Sequence, residues 1–297
     1  FLRALVHLDL CLVYGQTYTY SSDASHLGTA VMTTIPDVKS KIARSSASVT
    51  YKQILSDLQT ALDMFAYGWT KGCFYASPAA CKALMARVYL YMGNYADAKK
   101  YASEVISDYG LSLTPRADYV AMFCGRKEGQ EAIFRLNGLS GGAKLRSMFD
   151  YTSPQMYPSG KLLDIFASDA DAWTGSDVRS ELLSYKAANG IEHRGVCMKF
   201  IDTEDIDETQ KRYDPFVLRL SEMYLIRAEA ACHDGDTDTA VSDIAALEAR
   251  ARGVQTSDIN VTFSGIDDLA GIVQRERIKE LFLEGHRLFD LTRRHET

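Results

Sequence analysis

Apolar residues recur at helical spacing through most of the chain, and the recurrence fails in the middle. Between Tyr51 and Phe65 they fall at Ile54, Leu55, Leu58, Leu62 and Phe65, one face of an amphipathic helix. Phe1 to Tyr14 reads as a helix closed by Gly15, and the polar, Ser/Thr/Tyr-rich stretch from Tyr18 to Thr34 reads as a loop. Gly68 to Ser77 is a second, shorter loop that carries Trp69, Phe74 and Tyr75. Two later stretches share one pattern. With Gly93 set against Gly235, Leu84 falls on Ile226, Ala86 on Ala228 and Ala98 on Ala240 without a gap. Each copy predicts a helix rich in Ala and Leu, a tight turn at glycine and a second amphipathic helix. The small residues let antiparallel helices approach closely, and the glycine supplies permissive backbone at the turn. The hairpins cover about 77–108 and about 216–252. From Leu111 to Tyr213 periodicity weakens while Gly, Ser, Asp and aromatic residues accumulate, which predicts an irregular functional insertion of loops and short elements. A last helix is expected to begin near Asp267 and Asp268, whose carboxylates suit a helix N-terminus, and to run through Glu284.

The segment from Ala83 to Ala98 resembles a tetratricopeptide unit, a repeat that stacks helix hairpins. The copies lie too far apart in sequence for a simple solenoid. The expected architecture is mainly α: tetratricopeptide-like helix hairpins form a scaffold, with a large irregular, loop-rich insertion at about 111–213, all in one domain over residues 1–297.

Composition narrows the function classes. A chain of 297 residues with 46% hydrophobic content can bury a large core, and a formal net charge of −6 argues against a nucleic-acid partner. The 17 Tyr outnumber the 12 Phe and 2 Trp, and tyrosine is the aromatic that tolerates a half-wet setting. Cys11, Cys73, Cys81, Cys124, Cys197 and Cys232 form no C-x-x-C pair and no zinc-ligand spacing; Cys81 and Cys232 read as small buried thiols of the repeat helices. No apolar run is long enough to cross a membrane. The chain opens inside a helical pattern at Phe1 and stops at Thr297, and so reads as a fragment of a longer protein lacking its N- and C-terminal segments.

Candidate chemistry is sparse. Gly138 to Lys144 resembles a phosphate-binding loop only superficially, because Ala143 separates the glycine from Lys144 and Leu145 stands where a hydroxyl should bind magnesium. Asp234, Asp236 and Asp238 mimic the start of a calcium loop, but Thr239 replaces the required glycine and Ala245 the bidentate glutamate; Asp236 or Asp238 reads better as a helix cap. Asp169, Asp171 and Asp177 are a weaker echo of the same loop. Glu276, Glu280 and Glu284 share one helical face and alternate with Arg275, Arg277, Lys279 and Arg287, which predicts solvated pairing along a helix surface. No catalytic constellation emerges, and no metal site is expected.

Four segments in order resemble the SusD/RagB family of outer-membrane nutrient-binding lipoproteins. They are Phe1–Gly15 ending in Tyr-Gly, Ala79–Ile106 followed by Glu131-Ala-Ile-Phe134, Phe216–Ala230, and Arg275–Arg293 with its Phe-Asp-Leu run. Asp177-Val-Arg179 and Met198-Lys-Phe200 sit where the family has similar short runs. The resemblance implies non-catalytic, cell-surface binding of oligosaccharides or polysaccharides for delivery to a TonB-dependent transporter. It implies an outer-membrane location through a lipid anchor not present in this chain, and no cofactor. A tetratricopeptide-type interaction scaffold is the alternative reading, and a helical glycoside hydrolase a third. The matching motifs are architectural: Arg227, Glu229, Glu284 and Arg287 are expected in charge pairs, and Tyr89 and Tyr224 in helix packing.

A pyranose presents an apolar C–H face and a rim of hydroxyls, so its binder needs exposed aromatic faces flanked by polar groups on loops. Trp173, a large aromatic among small polar residues of the insertion, is the foremost candidate; Tyr151 and Tyr157 flank Ser153-Pro154 nearby. Trp69 and Tyr75 form a possible separate contact on the loop before the first hairpin.

Overall fold

The computed structural model describes the chain apart from residues 38, 66–71, 125–128, 139–141, 173–175, 188, 202–213 and 297, and for 142–144 and 170–172 only the backbone. Helix α1 (Leu2–Tyr14) packs on α2 (Ala47–Met64), which Ser46 opens by accepting the Val49 amide on its hydroxyl. The first hairpin is α3 (Pro78–Tyr91), with Ser77 as cap and proline in its first turn, and α4 (Tyr95–Asp108), capped by Asn94. Then come α5 (Arg116–Cys124), β1 (Ala132–Arg135), α6 (Gly142–Phe149), α7 (Gly160–Ala172), a 3-10 turn over Val178–Leu183, and the hairpin of β2 (Ser184–Lys186) and β3 (Glu192–Arg194). The strand β4 (Phe216–Arg219) leads into α8 (Leu220–Asp234) and α9 (Thr237–Arg252), followed by α10 (Ile266–Leu281) and α11 (Arg287–Arg293).

The fold is mainly α, and the two hairpins are laid side by side although more than a hundred residues separate them: α4 packs on α8 as closely as each packs on its own partner. Gly93 and Gly235 take nearly the same left-handed conformation, φ 72° and 74°, as the shared turn requires. Ala86, Ala98, Ala228 and Ala240 are all fully buried, so the small positions of both copies serve helix contact. Asp236 caps α9 by accepting the Thr239 amide, at 3.2 Å, and pairs with Lys99 across the hairpins at 2.8 Å. Arg227 and Glu229 form the expected pairs, with Asp243 at 2.6 Å and with Arg293 at 2.6 Å. Tyr89 stacks on Tyr101 with centroids 5.6 Å apart. All six cysteines are free thiols, with Cys81 and Cys232 buried.

Two sequence expectations need correction, whereas the insertion has the expected make-up of loops and short elements, α5, α6, α7 and the β2–β3 hairpin among them. Phe216–Arg219 is not helical; it is a strand paired antiparallel with β1, Ala132 opposite Arg219. The last helix stops at Leu281 rather than at Glu284, with Leu283 at φ 61° and Gly285 at φ 87° turning the chain into α11. At that break the Glu280 carbonyl accepts from Lys199 Nζ at 2.8 Å and Arg219 Nη2 at 2.7 Å. Two cations thus satisfy a carbonyl that the helix end leaves without a partner.

The largest departure concerns the charged face of α10. Glu276, Glu280, Arg277 and Lys279 are buried, not solvated. Glu280 meets Arg219 at 2.6 Å, Arg250 at 2.7 Å and Arg179 at 3.1 Å. Arg179 also holds Asp177 at 2.6 Å, Glu248 at 3.1 Å and Glu276. Lys279 joins Asp169 at 2.7 Å to Glu276 at 2.9 Å, so Asp169 and Asp177, two of the three carboxylates whose spacing echoes a calcium loop, are spent in these ion pairs. Glu131, brought beside Arg219 by the β1–β4 register, binds Arg219 at 2.9 Å and Arg250 at 3.2 Å. Glu284 binds Arg219 at 2.8 Å and Lys199 at 2.6 Å. Helical spacing puts three glutamates on one stripe, but the stripe faces protein: the insertion supplies Arg179 and Lys199, β4 supplies Arg219 and α9 supplies Arg250 as matching cations.

Removing one partner of a buried pair leaves the other charge dry and uncompensated. Glu280→Ala is therefore expected to destabilise the fold by about 3–5 kcal/mol, read as a lower midpoint in urea unfolding. Burial, with the Glu248 carboxylate beside it, pushes the Glu276 carboxyl up to about 8. A pKa raised above its unfolded value contributes stability below pH about 4.5 that is lost as pH rises through about 8. Glu276→Gln should flatten the loss of melting temperature between neutral and mildly alkaline pH, and an unchanged slope would contradict this assignment.

Candidate functional site

The connection between α6 and α7 folds back on itself, because the amides of Gln155 and Met156 both donate to the Met148 carbonyl, at 2.9 and 3.0 Å. This places two of the expected aromatic residues differently. Tyr151 packs its ring on Tyr185 of β2, with centroids 4.3 Å apart, and meets His193 of β3 edge-on at 5.3 Å. Tyr157 stays 62% exposed. Tyr75 is also exposed, on the turn closed by its own amide donating to the Gly72 carbonyl at 3.1 Å; the neighbouring Cys73 carbonyl accepts the Arg135 amide of β1. Trp69 and Trp173 lie outside the described residues.

Tyr157 forms part of the wall of a cavity of about 210 Å³ between the start of α7 and the α10–α11 corner. Leu162, Ile165, Ile278, Leu281 and Phe282 give it an apolar floor. The polar wall holds Lys161, Gln274, Arg277, His286, Asp290 and Arg294. Arg287, expected in a charge pair, lines this cavity too. The cavity exists because α10 ends at Leu281: the left-handed turn at Leu283 and Gly285 swings α11 away, and the first turns of α7 close over the gap.

Its electrostatics are uneven. Arg277 gives Nε and Nη2 to the Asp290 carboxylate at 3.1 and 3.2 Å, and Arg293 approaches the same carboxylate at 2.9 Å. These guanidinium groups hold the Asp290 carboxyl well below the usual carboxylate range despite burial. Arg277 Nη1 and Arg294 Nη1 are buried without a hydrogen-bond partner among the described residues. His286 is driven down to about 4 by burial, against the pull of Glu222, so its imidazole is neutral at pH 7.

Sequence reasoning passed over Tyr185, His193, the Arg277 donor and the cavity itself. One signal was readable. Asn189-Gly190, with Gly190 at φ 84°, is a short hairpin turn, and it presents Tyr185 and His193 from adjacent strands. The cavity had no such mark, since its walls come from helix faces about a hundred residues apart.

Comparison with known proteins gives a consistent picture. Residues 130–297 match the SusD family, and residues 1–90 match a family described as starch-binding, associating with outer membrane. A SusD superfamily protein from Bacteroides thetaiotaomicron superposes with a TM-score of 0.81 at 27% identity, over 98% of this chain and 65% of its own. A SusD superfamily protein from Bacteroides vulgatus gives 0.79 at 30% identity, over 98% of this chain and 65% of its own. A SusD-like carbohydrate binding protein from Bacteroides vulgatus shares the fold, with a TM-score of 0.78 at 22% identity over 100% of this chain and 62% of its own. The chain thus spans less than two thirds of these proteins. No curated protein sequence matches it.

The neutral His286 has a measurable consequence. A depressed histidine pKa contributes stability above its unfolded value of 6.5 that is lost as pH falls through about 4. Proton-detected titration should show one imidazole titrating near pH 4. His286→Gln should remove the part of the acid destabilisation that begins above the carboxylate range and the signal near pH 4; a His286 imidazole that titrates near pH 6.5 instead would refute the burial argument.

Proposed function

Because the chain belongs to the SusD family, we propose that it is a non-catalytic glycan-binding protein of the cell surface, capturing oligosaccharides or polysaccharides for a TonB-dependent transporter. Its place in this reading is the outer membrane, held by a lipid anchor. The observation that carries the binding function is Tyr157, an exposed aromatic ring on the wall of a cavity whose other groups offer both apolar floor and hydrogen-bond donors. An aromatic face covers the C–H patch of a sugar while donors at its edge meet the hydroxyls. Trp173 and the Tyr151 cluster extend the same reading along the insertion, with Trp69 and Tyr75 as a second contact. The scaffold alternative gains less support, because the two hairpins pack their faces on each other.

A sugar face buried on one aromatic side chain is worth on the order of 1–3 kcal/mol, so losing it weakens a shallow site from several-fold to about a hundredfold. In affinity electrophoresis through a panel of polysaccharides, Trp173→Ala and Tyr157→Ala are each expected to lose most of the retardation shown by the parent chain. Helical circular dichroism and melting temperature should stay nearly unchanged. Full retardation in both variants would move the site away from the insertion, cooperative unfolding would make the ring a packing residue, and release of reducing sugar at enzyme-like rates would overturn the non-catalytic reading.

A further inference from the structure

Four cationic side chains, Lys161, Arg277, Arg287 and Arg294, line the cavity beside Tyr157, against the single carboxylate of Asp290. That carboxylate is already committed: Arg277 and Arg293 both donate to it at close to 3 Å. Glu296 approaches Arg294 Nε at 3.1 Å, from outside the cavity wall. Among the described residues, two further guanidinium nitrogens of this wall meet no acceptor. Arg277 is 2% exposed and its Nη1 has no hydrogen-bond partner among the described residues, and the buried Nη1 of Arg294 likewise has none among them. A buried guanidinium N–H without an acceptor costs free energy that a native structure rarely leaves unrecovered. Two of them on the wall of one cavity describe a place for an acceptor, and a carboxylate is the acceptor whose charge and planar oxygens suit guanidinium groups best.

Size and shape narrow the body attached to that acceptor. At about 210 Å³ the cavity is smaller than the roughly 300–1,000 Å³ of pockets that enclose drug-sized ligands, so it takes one residue of a longer molecule. Its floor of Leu162, Ile165 and Ile278 is apolar, as the C–H face of a pyranose requires, and Tyr157 stands exposed beside it. We propose that this cavity is a subsite for a carboxylate-bearing sugar, a hexuronic acid residue of an acidic glycan, with its carboxylate on the Arg277 and Arg294 donors, its ring against Tyr157, and Lys161 and Arg287 supplying the surrounding field. This rests on the glycan-binding reading and names the substrate class within it.

The test uses the 297-residue chain in titration calorimetry with trigalacturonate and with its carboxyl-reduced trigalactose counterpart, which keeps the rings and removes the charge. The parent should bind the acidic trisaccharide at least about tenfold tighter than the neutral one, a preference that raised salt erodes. Arg294→Gln retains hydrogen-bonding capacity without the charge, and Lys161→Ala removes a cation from the rim. Both should cut trigalacturonate affinity several-fold and by a clearly larger factor than trigalactose affinity, with the helical signal as it was. Equal affinity for the two trisaccharides with continued dependence on Tyr157 would end this inference and leave the glycan function standing. Unchanged trigalacturonate binding in Arg294→Gln and Lys161→Ala together would end it likewise. Stronger competition from a tripeptide with a free terminal carboxylate than from trigalacturonate would assign the cavity to peptides. Failure of any polysaccharide to bind the parent chain would instead remove the function on which the inference rests.

Discussion

The structure depends on keeping charges paired in a dry interior. Arg179 and Arg219 are among the largest fully buried side chains of the molecule, and Glu280 is as buried as either. None of these groups tolerates removal from water alone; each is stable there because two or more opposite charges stand within hydrogen-bond reach. Glu280 is the hub. It takes Arg219 and Arg250 on one oxygen and Arg179 on the other, and Tyr119 adds its hydroxyl at 3.3 Å. Aromatic rings finish the enclosure: Arg250 lies 4.2 Å over Tyr119 and Lys199 lies 3.8 Å over Phe282. Such an arrangement ties the contributing segments to one another, because displacing any one of them leaves a buried charge without its partner.

Those segments are scattered along the chain, and that explains how an interrupted repeat still packs as one. Asp177, Arg179 and Lys199 come from the insertion, Glu131 from the edge of β1, Arg219 from the end of β4, Glu248 and Arg250 from α9, and Glu276 and Glu280 from α10. The β1–β4 pair ties the entrance and exit of the insertion together, with the Leu220 amide donating to the Glu131 carbonyl at 2.9 Å. A second group of ion pairs, Arg87 with Glu222 at 2.6 Å and Arg293 with Glu229 at 2.6 Å, fixes α8 against α3 and α11. The insertion is therefore fastened to the hairpins by charge as much as by apolar contact. The same fastening ends α10 at Leu281, and the cavity beside Tyr157 follows from that break. Scaffold and candidate site are thus two results of one arrangement.

The repeat hairpins, the helix over Ala47–Met64 and the turns at Gly93 and Gly235 were legible in the sequence because they rest on local periodicity and on glycine backbone, which neighbouring residues determine. The resemblance of Phe216–Ala230 and Arg275–Arg293 to a known family was equally legible, because those runs are long and uninterrupted. Phe216–Arg219 was misread as helix: its strand state comes from pairing with residues over eighty positions earlier. The candidate aromatic residues were legible as types on loops but not as surfaces. Tyr151 and Tyr157 look alike in sequence, yet one ring is packed between Tyr185 and His193 and the other stands free.

The face of α10 marks the boundary most clearly. Alternating Glu, Arg and Lys at helical spacing fix a charged stripe on one side of a helix, and the sequence determined that much along with the hairpins and their turns. Whether such a stripe meets water or protein depends on what is laid over it, and helical spacing is the same in both cases. Only the tertiary structure decided that the stripe is buried, that α10 breaks three residues early, and that a cavity with unmet guanidinium donors opens there. The reason is physical: periodicity is a property of one segment, while desolvation and charge pairing are properties of segments that meet from across the chain.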